Sequence, residues 1–264
     1  MGHPGAYCRA LACAALLAAM NGVEAGQACE EKPVTAQEMR QAFGLALKVR
    51  ESLDASGAEV ALLARVGQDL SKYGLRYSHL AFVWRDHPHG RWLGVHLLNE
   101  CGTAHSTLYN QGLANFFADD MHAWEAMIVL PSAALQAGLA AELGSTRPLA
   151  LHQPAYNMLA YPFSTRYQNS NQWVLEVLAD AETQASSPGR AGSQAWLAAE
   201  AYRPDTLRLP SLTRLGGRLF RANVAFDDHP FERRMSGRID VVSVESVVAF
   251  LERHDGARRL VVRL

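Results

Sequence analysis

Two apolar runs, Ser78 to Trp84 and Trp92 to Leu98, lie on either side of Arg85-Asp86-His87-Pro88-His89-Gly90-Arg91. The central residues are turn chemistry and the flanking runs are strand chemistry, so the chain is expected to double back here as a β-hairpin. Around that hairpin the pattern is mixed. Thr35 with Glu38 forms a capping box, and Met39, Phe43, Leu47 and Leu53 continue at helical spacing to Asp54. Ala58 to Ala64 reads as a buried strand, and Arg65 to Tyr77 as a loop or short helix. Asn110 to Asp119 reads as a short helix or loop with Phe116 and Phe117 buried, and Trp124 to Leu130 as a strand. Pro131 opens a helix through Leu135, Leu139 and Leu143. Leu159 to Phe163 is expected to be extended, Gln172 to Ala181 and Gln194 to Ala201 helical, residues 207 to 226 one or two strands, and Val244 to Glu252 a late helix. With no internal repeat, a helix followed by a hairpin and then mixed elements places the chain in the α+β class, an antiparallel sheet with packed helices.

The first 25 residues read differently. One basic residue, Arg9, precedes an apolar stretch from Ala10 to Met20, and Val23 and Ala25 supply the small residues of a signal-peptidase site. The stretch is too short for a permanent anchor, and Cys13 and Cys29 lack the leucine-and-small-residue pattern of a lipoprotein signal. The expectation is a signal peptide over 1–25, a single domain over 26–264, a periplasmic location and no transmembrane anchor. Cys8 and Cys13 leave with such a leader, so Cys29 and Cys101 are expected to form one disulfide. The 25 basic and 26 acidic residues of the whole chain leave no basic excess, which argues against nucleic acid as a partner.

Three polar residues interrupt apolar, structured surroundings. His79 opens the first hairpin strand, His96 sits between Val95 and Leu97 on the second, and Ser170 lies just before a helix, where backbone N–H groups stabilise negative charge. A hydroxyl at a helix start, a histidine on a strand and a third polar group on the next strand make an acyl-transfer set: Ser170 as nucleophile, His79 as base, His96 as orienter. Asn99 or Glu100 could orient instead. Asn169, Asn99 and Gln172 are candidate binding residues.

Tyr77-Ser78-His79-Leu80-Ala81-Phe82-Val83 resembles the F-S-H-V-G-x-V strand of circularly permuted papain-like proteins, the group that includes lecithin-retinol acyltransferase. Asn169-Ser170-Asn171-Gln172-Trp173-Val174 resembles their later N-C-E-H-F-V motif. The resemblance spans residues 60 to 180 and implies a circularly permuted papain-like fold, with the nucleophile at position 170. Here that position holds serine, which cannot form the thiolate–imidazolium pair of such enzymes and needs concerted general-base help. The run from Tyr161 to Trp173, with Phe226-Asp227-Asp228-His229-Pro230, is also similar to an uncharacterised family of exported bacterial proteins, domain of unknown function 2145.

Each feature has a plainer reading. His79 is by default a core histidine bonded to a backbone carbonyl, and Ser170 a helix N-cap flanked by two asparagines that would serve equally well. Asp86, His87 and His89, with His105 or His122, show no recognised metal-ligand spacing. Asp227-Asp228-His229-Pro230 reads as an acidic turn, and Cys101 with His79 is a cysteine-hydrolase alternative. The expectations are therefore a periplasmic hydrolase or acyltransferase acting on an amide or ester, or a catalytically inactive binding module. The ligand would be a cell-envelope peptide or an acyl lipid, and no metal or cofactor is implied.

Overall fold

The computed structural model describes residues 33–119, 121–184, 186 and 188–264; the expected signal peptide over 1–25 and Cys29 lie outside the described residues. Helix α1, Ala36–Ser56, begins at the capping box of Thr35 and Glu38, whose two reciprocal bonds both form. Strand β1, Val60–Val66, then leads into the hairpin of β2, His79–Trp84, and β3, Leu93–Asn99. An edge strand β4, Ser106–Gln111, and a short helix α2, Leu113–Ala118, precede β5, Ala123–Leu130. Helices α3, Ala133–Leu143, α4, Arg147–Ala150, α5, Ser170–Thr183, and α6, Arg190–Ala199, follow. The remainder is β6, Asp205–Arg208; α7, Ser211–Phe220; α8, Phe231–Met235; β7, Arg238–Val241; α9, Val244–His254; and β8, Arg258–Arg263.

Six strands form one antiparallel sheet in the order β4-β3-β2-β1-β5-β8, and β6 with β7 makes a small separate ribbon. The chain is thus α+β, with an antiparallel sheet and packed helices, and Glu31–Leu264 is a compact unit. Side chains alternate across a strand, and both faces of this sheet are covered. On one face Leu62 and Ala64 of β1 and Leu80 and Phe82 of β2 pack with Trp173 and Val177 of α5, Leu139 of α3 and Val247 of α9. On the other, Ala61, Leu63, Ala81 and Val83 pack with Leu45, Val49 and Leu53 of α1 and with Phe116 and Phe117 of α2.

Helix α1 forms as expected; it buries Ala42, Leu45, Ala46, Val49 and Leu53, whereas Met39, Phe43 and Leu47 are exposed. The buried face combines Leu45, Val49 and Leu53 with two alanines, and Met39, Phe43 and Leu47 fall on the exposed side of the helix. Other expectations are corrected. Residues 207 to 226 do not form one or two strands. Only the end of β6 falls there, and Pro210 then starts α7, where Leu212, Leu215 and Leu219 recur at three and four residues, a helical period. The segment Leu159 to Phe163 is a series of turns rather than extended, because Asn157 Oδ1 accepts from Leu159 N–H at 3.1 Å and from Ala225 N–H at 3.0 Å. The edge strand β4 has no apolar run to announce it. Its partner β3 supplies the pairing, with His96 opposite Tyr109 and Asn99 opposite Ser106.

Candidate functional site

His79 and His96 come together on the face covered by α1 and α2. His79 is the first residue of β2 and shares its side with Ala81 and Val83, while His96 projects from β3 opposite to Val95 and Leu97. Their rings meet at 2.7 Å, His79 Nε2 to His96 Nδ1, and His96 Nε2 reaches Gln111 Oε1 at 3.1 Å. The carbonyl oxygen of Gln111 can only accept, so His96 carries its proton on Nε2 and accepts at Nδ1. His79 must then donate from Nε2, which leaves a lone pair on Nδ1. That nitrogen has no hydrogen-bond partner among the described residues, and His79 keeps 8% of its surface while His96 is fully buried.

The surroundings hold both rings neutral. Arg65 lies on the same face, donates to the Phe116 carbonyl and the Asp119 carboxylate, and sits 4.9 Å over the Phe116 ring. Burial first, then the Arg65 charge and then His96, keep His79 well below the usual imidazole range. Burial and Arg65 likewise bring His96 down to about 4, against the opposing hydrogen bond of Gln111. The third member of the relay is therefore Gln111, on β4. The sequence carries no signal for it, because Gln111 is a polar residue in a polar stretch and only the register of β4 on β3 brings it near His96. Asn99 closes the turn after β3, donating to Thr103 O at 3.0 Å and His105 O at 2.7 Å and accepting from Asn223 at 2.8 Å. Glu100 accepts from the Thr107 hydroxyl at 2.8 Å. Neither Asn99 nor Glu100 is hydrogen-bonded to His79 or His96.

Ser170 is not brought to these histidines. It opens α5, and α5 lies against the opposite face of the sheet, with Trp173 edge-on to Phe82 at 5.9 Å. Leu80 and Phe82 of β2 point toward α5, so His79, one residue out of phase, points away from it. Ser170 instead faces the buried Tyr156 hydroxyl, whose ionisation is pushed up by burial and eased by hydrogen bonding from Ser170. The N-cap of α5 is Asn169, whose Oδ1 accepts from Gln172 N–H at 2.7 Å. Gln172 donates toward the Tyr161 and Pro162 carbonyls and to Glu176. The expected Ser170–His79–His96 set is thus separated by the thickness of the sheet, because the face that α5 takes is decided by the chain path after β5 and not by local sequence.

A buried ionic network fills the α5 side. Glu176 is fully buried and accepts from Arg190 Nε at 2.7 Å, from Gln194 at 2.7 Å and from Gln168 at 2.5 Å. Burial raises its carboxyl and Arg190 opposes the rise. Arg190 also donates to the carbonyls of Ser164, Thr165 and Tyr167. On the same side Ser106 Oγ lies 3.1 Å from His152 Nε2, a hydroxyl–imidazole contact that sequence reasoning missed because His152 sits in an irregular stretch after α4. Burial lowers His152 from its ordinary range.

The remaining candidates have other roles. His229, from the acidic turn, is buried between Asp228 Oδ1 and the Asp240 carbonyl, each at 3.0 Å. His87 Nδ1 accepts from His89 N–H within the hairpin turn, and among the described residues no group of three His, Cys, Asp or Glu side chains could hold a metal ion. Cys101 lies in the turn after β3; its expected partner Cys29 is outside the described residues. No helix among the described residues is long and apolar enough to cross a membrane.

No curated protein and no solved structure matches the chain. A family model does match, over residues 52–251, a span that holds the relay, Ser170 and the Glu176 network alike, and the chain therefore belongs to the family described as an uncharacterised protein conserved in bacteria, DUF2145.

Proposed function

We propose that this protein is an exported binding module of the bacterial cell envelope, on a scaffold that resembles the circularly permuted papain-like proteins without their assembled catalytic centre. The observation that carries the proposal is the sheet between Ser170 and His79: the hydroxyl and its expected base occupy opposite faces. A neutral relay that ends in a lone pair on His79 Nδ1, without a partner among the described residues, suits recognition, since it offers a fixed acceptor to an N–H or O–H of a ligand such as an envelope peptide. Export to the periplasm rests on the leader, and the Cys29–Cys101 disulfide belongs to the same proposal. A serine-reactive fluorophosphonate probe tests it. The expected result is no labelling of the wild-type protein, and labelling abolished by Ser170→Ala would overturn it.

A second reading is favoured by one specific distance, the 3.1 Å between Ser106 Oγ and His152 Nε2. In this reading the protein is a serine-type hydrolase or acyltransferase of amides or esters, with Ser106 as nucleophile and His152 as base. The burial of Ser106, 3% exposed, counts against it. Labelling that survives Ser170→Ala but is lost in both Ser106→Ala and His152→Ala would establish it over the binding module.

A further inference from the structure

Helix α7 is amphipathic in the wrong sense for a core helix. None of its residues is buried. It rests on the protein through glycine and arginine: a Cβ on Gly217 would come within 3.3 Å of Val224, and Arg214 donates to the Arg234 carbonyl of α8 and toward Ser211. Its apolar side faces out, with Leu212 83%, Leu215 56%, Leu219 65% and Phe220 72% exposed. Helix α8 adds Phe231 and Met235, both more than half exposed. Beneath them, Leu207, Leu209, Phe226, Ile239 and Val241 form a small core of their own, so the outward side chains are surplus to that packing.

The charge around this face is predominantly positive. From Thr206 to Phe226 the chain carries four arginines and no carboxylate. In the ribbon that leads into α7, Arg208 pairs directly across from Arg238, and both are exposed. Like charges opposite each other on paired strands are unfavourable, and an anionic partner relieves that repulsion. Of the nearby carboxylates, Asp227 is paired with Arg166 at 2.7 Å, Asp228 with His229 and Asp240 with Arg233, while Glu232 is an exposed opposing charge on α8. An outward leucine and phenylalanine stripe set among arginines is the pattern of a helix that lies in the plane of an anionic lipid interface.

We infer that α7 and α8 form a docking surface for an anionic phospholipid bilayer, in which Leu212, Leu215, Leu219 and Phe220 enter the acyl boundary and Arg208, Arg218 and Arg238 contact the phosphates. The inference holds whichever reading of the histidine and serine residues is correct. Co-sedimentation of the full chain with phosphatidylglycerol-rich vesicles and with phosphatidylcholine vesicles tests it. Binding is expected to the first, weakened by salt, and to be at least about tenfold weaker in Leu212→Glu/Leu219→Glu. Arg208→Gln and Arg238→Gln should each weaken it about fivefold. These positions are exposed, so circular dichroism and the melting temperature should match wild type. Equal binding to both vesicles, or binding unchanged in the double glutamate variant, overturns the inference. So does a dimer, seen by sedimentation velocity, that the double variant dissolves while vesicle binding is absent, since the face would then belong to a second copy of the chain.

Discussion

The two faces of the central sheet both bury polar groups, and they do so in opposite ways. Under α1 and α2, the His79–His96–Gln111 relay is uncharged, runs in one direction and ends in an acceptor with no partner among the described residues. Under α5, Glu176 and Arg190 are a charged pair whose hydrogen bonds are taken up by neighbouring amides and backbone carbonyls. The ion pair itself is fully occupied within the fold, whereas Gln172 Oε1 at its margin lacks a partner among the described residues. The relay ends in an acceptor on a side chain that keeps some surface, and this is why it is the better candidate for recognition although the other side holds more polar side chains.

Breaking the ion pair should have the largest effect. Arg190→Met leaves Glu176 buried and unpaired, and unfolding in urea should show a loss of about 3–5 kcal/mol; a loss below about 1 kcal/mol would mean that the network contributes little and that the contrast between the faces is mistaken. The relay should show itself through pH. Both imidazoles titrate lower in the folded chain than the unfolded value of about 6.5. Between those values the unfolded chain binds more protons, so stability is complete above about pH 6.5 and declines as the pH falls toward the His96 value of about 4. The His96 shift corresponds to on the order of 3 kcal/mol. Urea midpoints measured across this range should fall more steeply for wild type than for His96→Phe, and equal slopes would remove the neutral relay from the comparison.

The smallest effects belong to the two residues at the start of α5. Asn169→Ala removes the cap and Ser170→Ala strips the buried Tyr156 hydroxyl of its hydrogen-bond partner, and each should cost about 1 kcal/mol. The Ser170→Ala cost should shrink in a Tyr156→Phe background and the Asn169→Ala cost should not; equal costs in both backgrounds would detach Ser170 from Tyr156.

What could be read from the sequence was local. The capping box at Thr35 and Glu38 and the β2–β3 hairpin follow from short-range pattern, and alternation alone puts His79 with Ala81 and Val83. The side of the sheet on which α5 would land was not readable, because it depends on the path from β5 through α3 and α4. Nor was Gln111, whose role is conferred by cross-strand register. The apolar stripe of α1 was legible as a helix but not as an outward one, and the α7 segment reads as strand although Leu212, Leu215 and Leu219 recur at a helical period.

Arg190 has a consequence for how the molecule comes apart. Its guanidinium holds the carbonyls of Ser164, Thr165 and Tyr167, three points in a segment without regular structure, and it does so from α6, more than twenty residues away. These bonds tie the segment to the helix, so the two are expected to open together as one cooperative unit. Arg166, exposed in the middle of the segment, is chemically an ordinary trypsin site, and the rate of cleavage after it becomes a clock for the unwinding of α6.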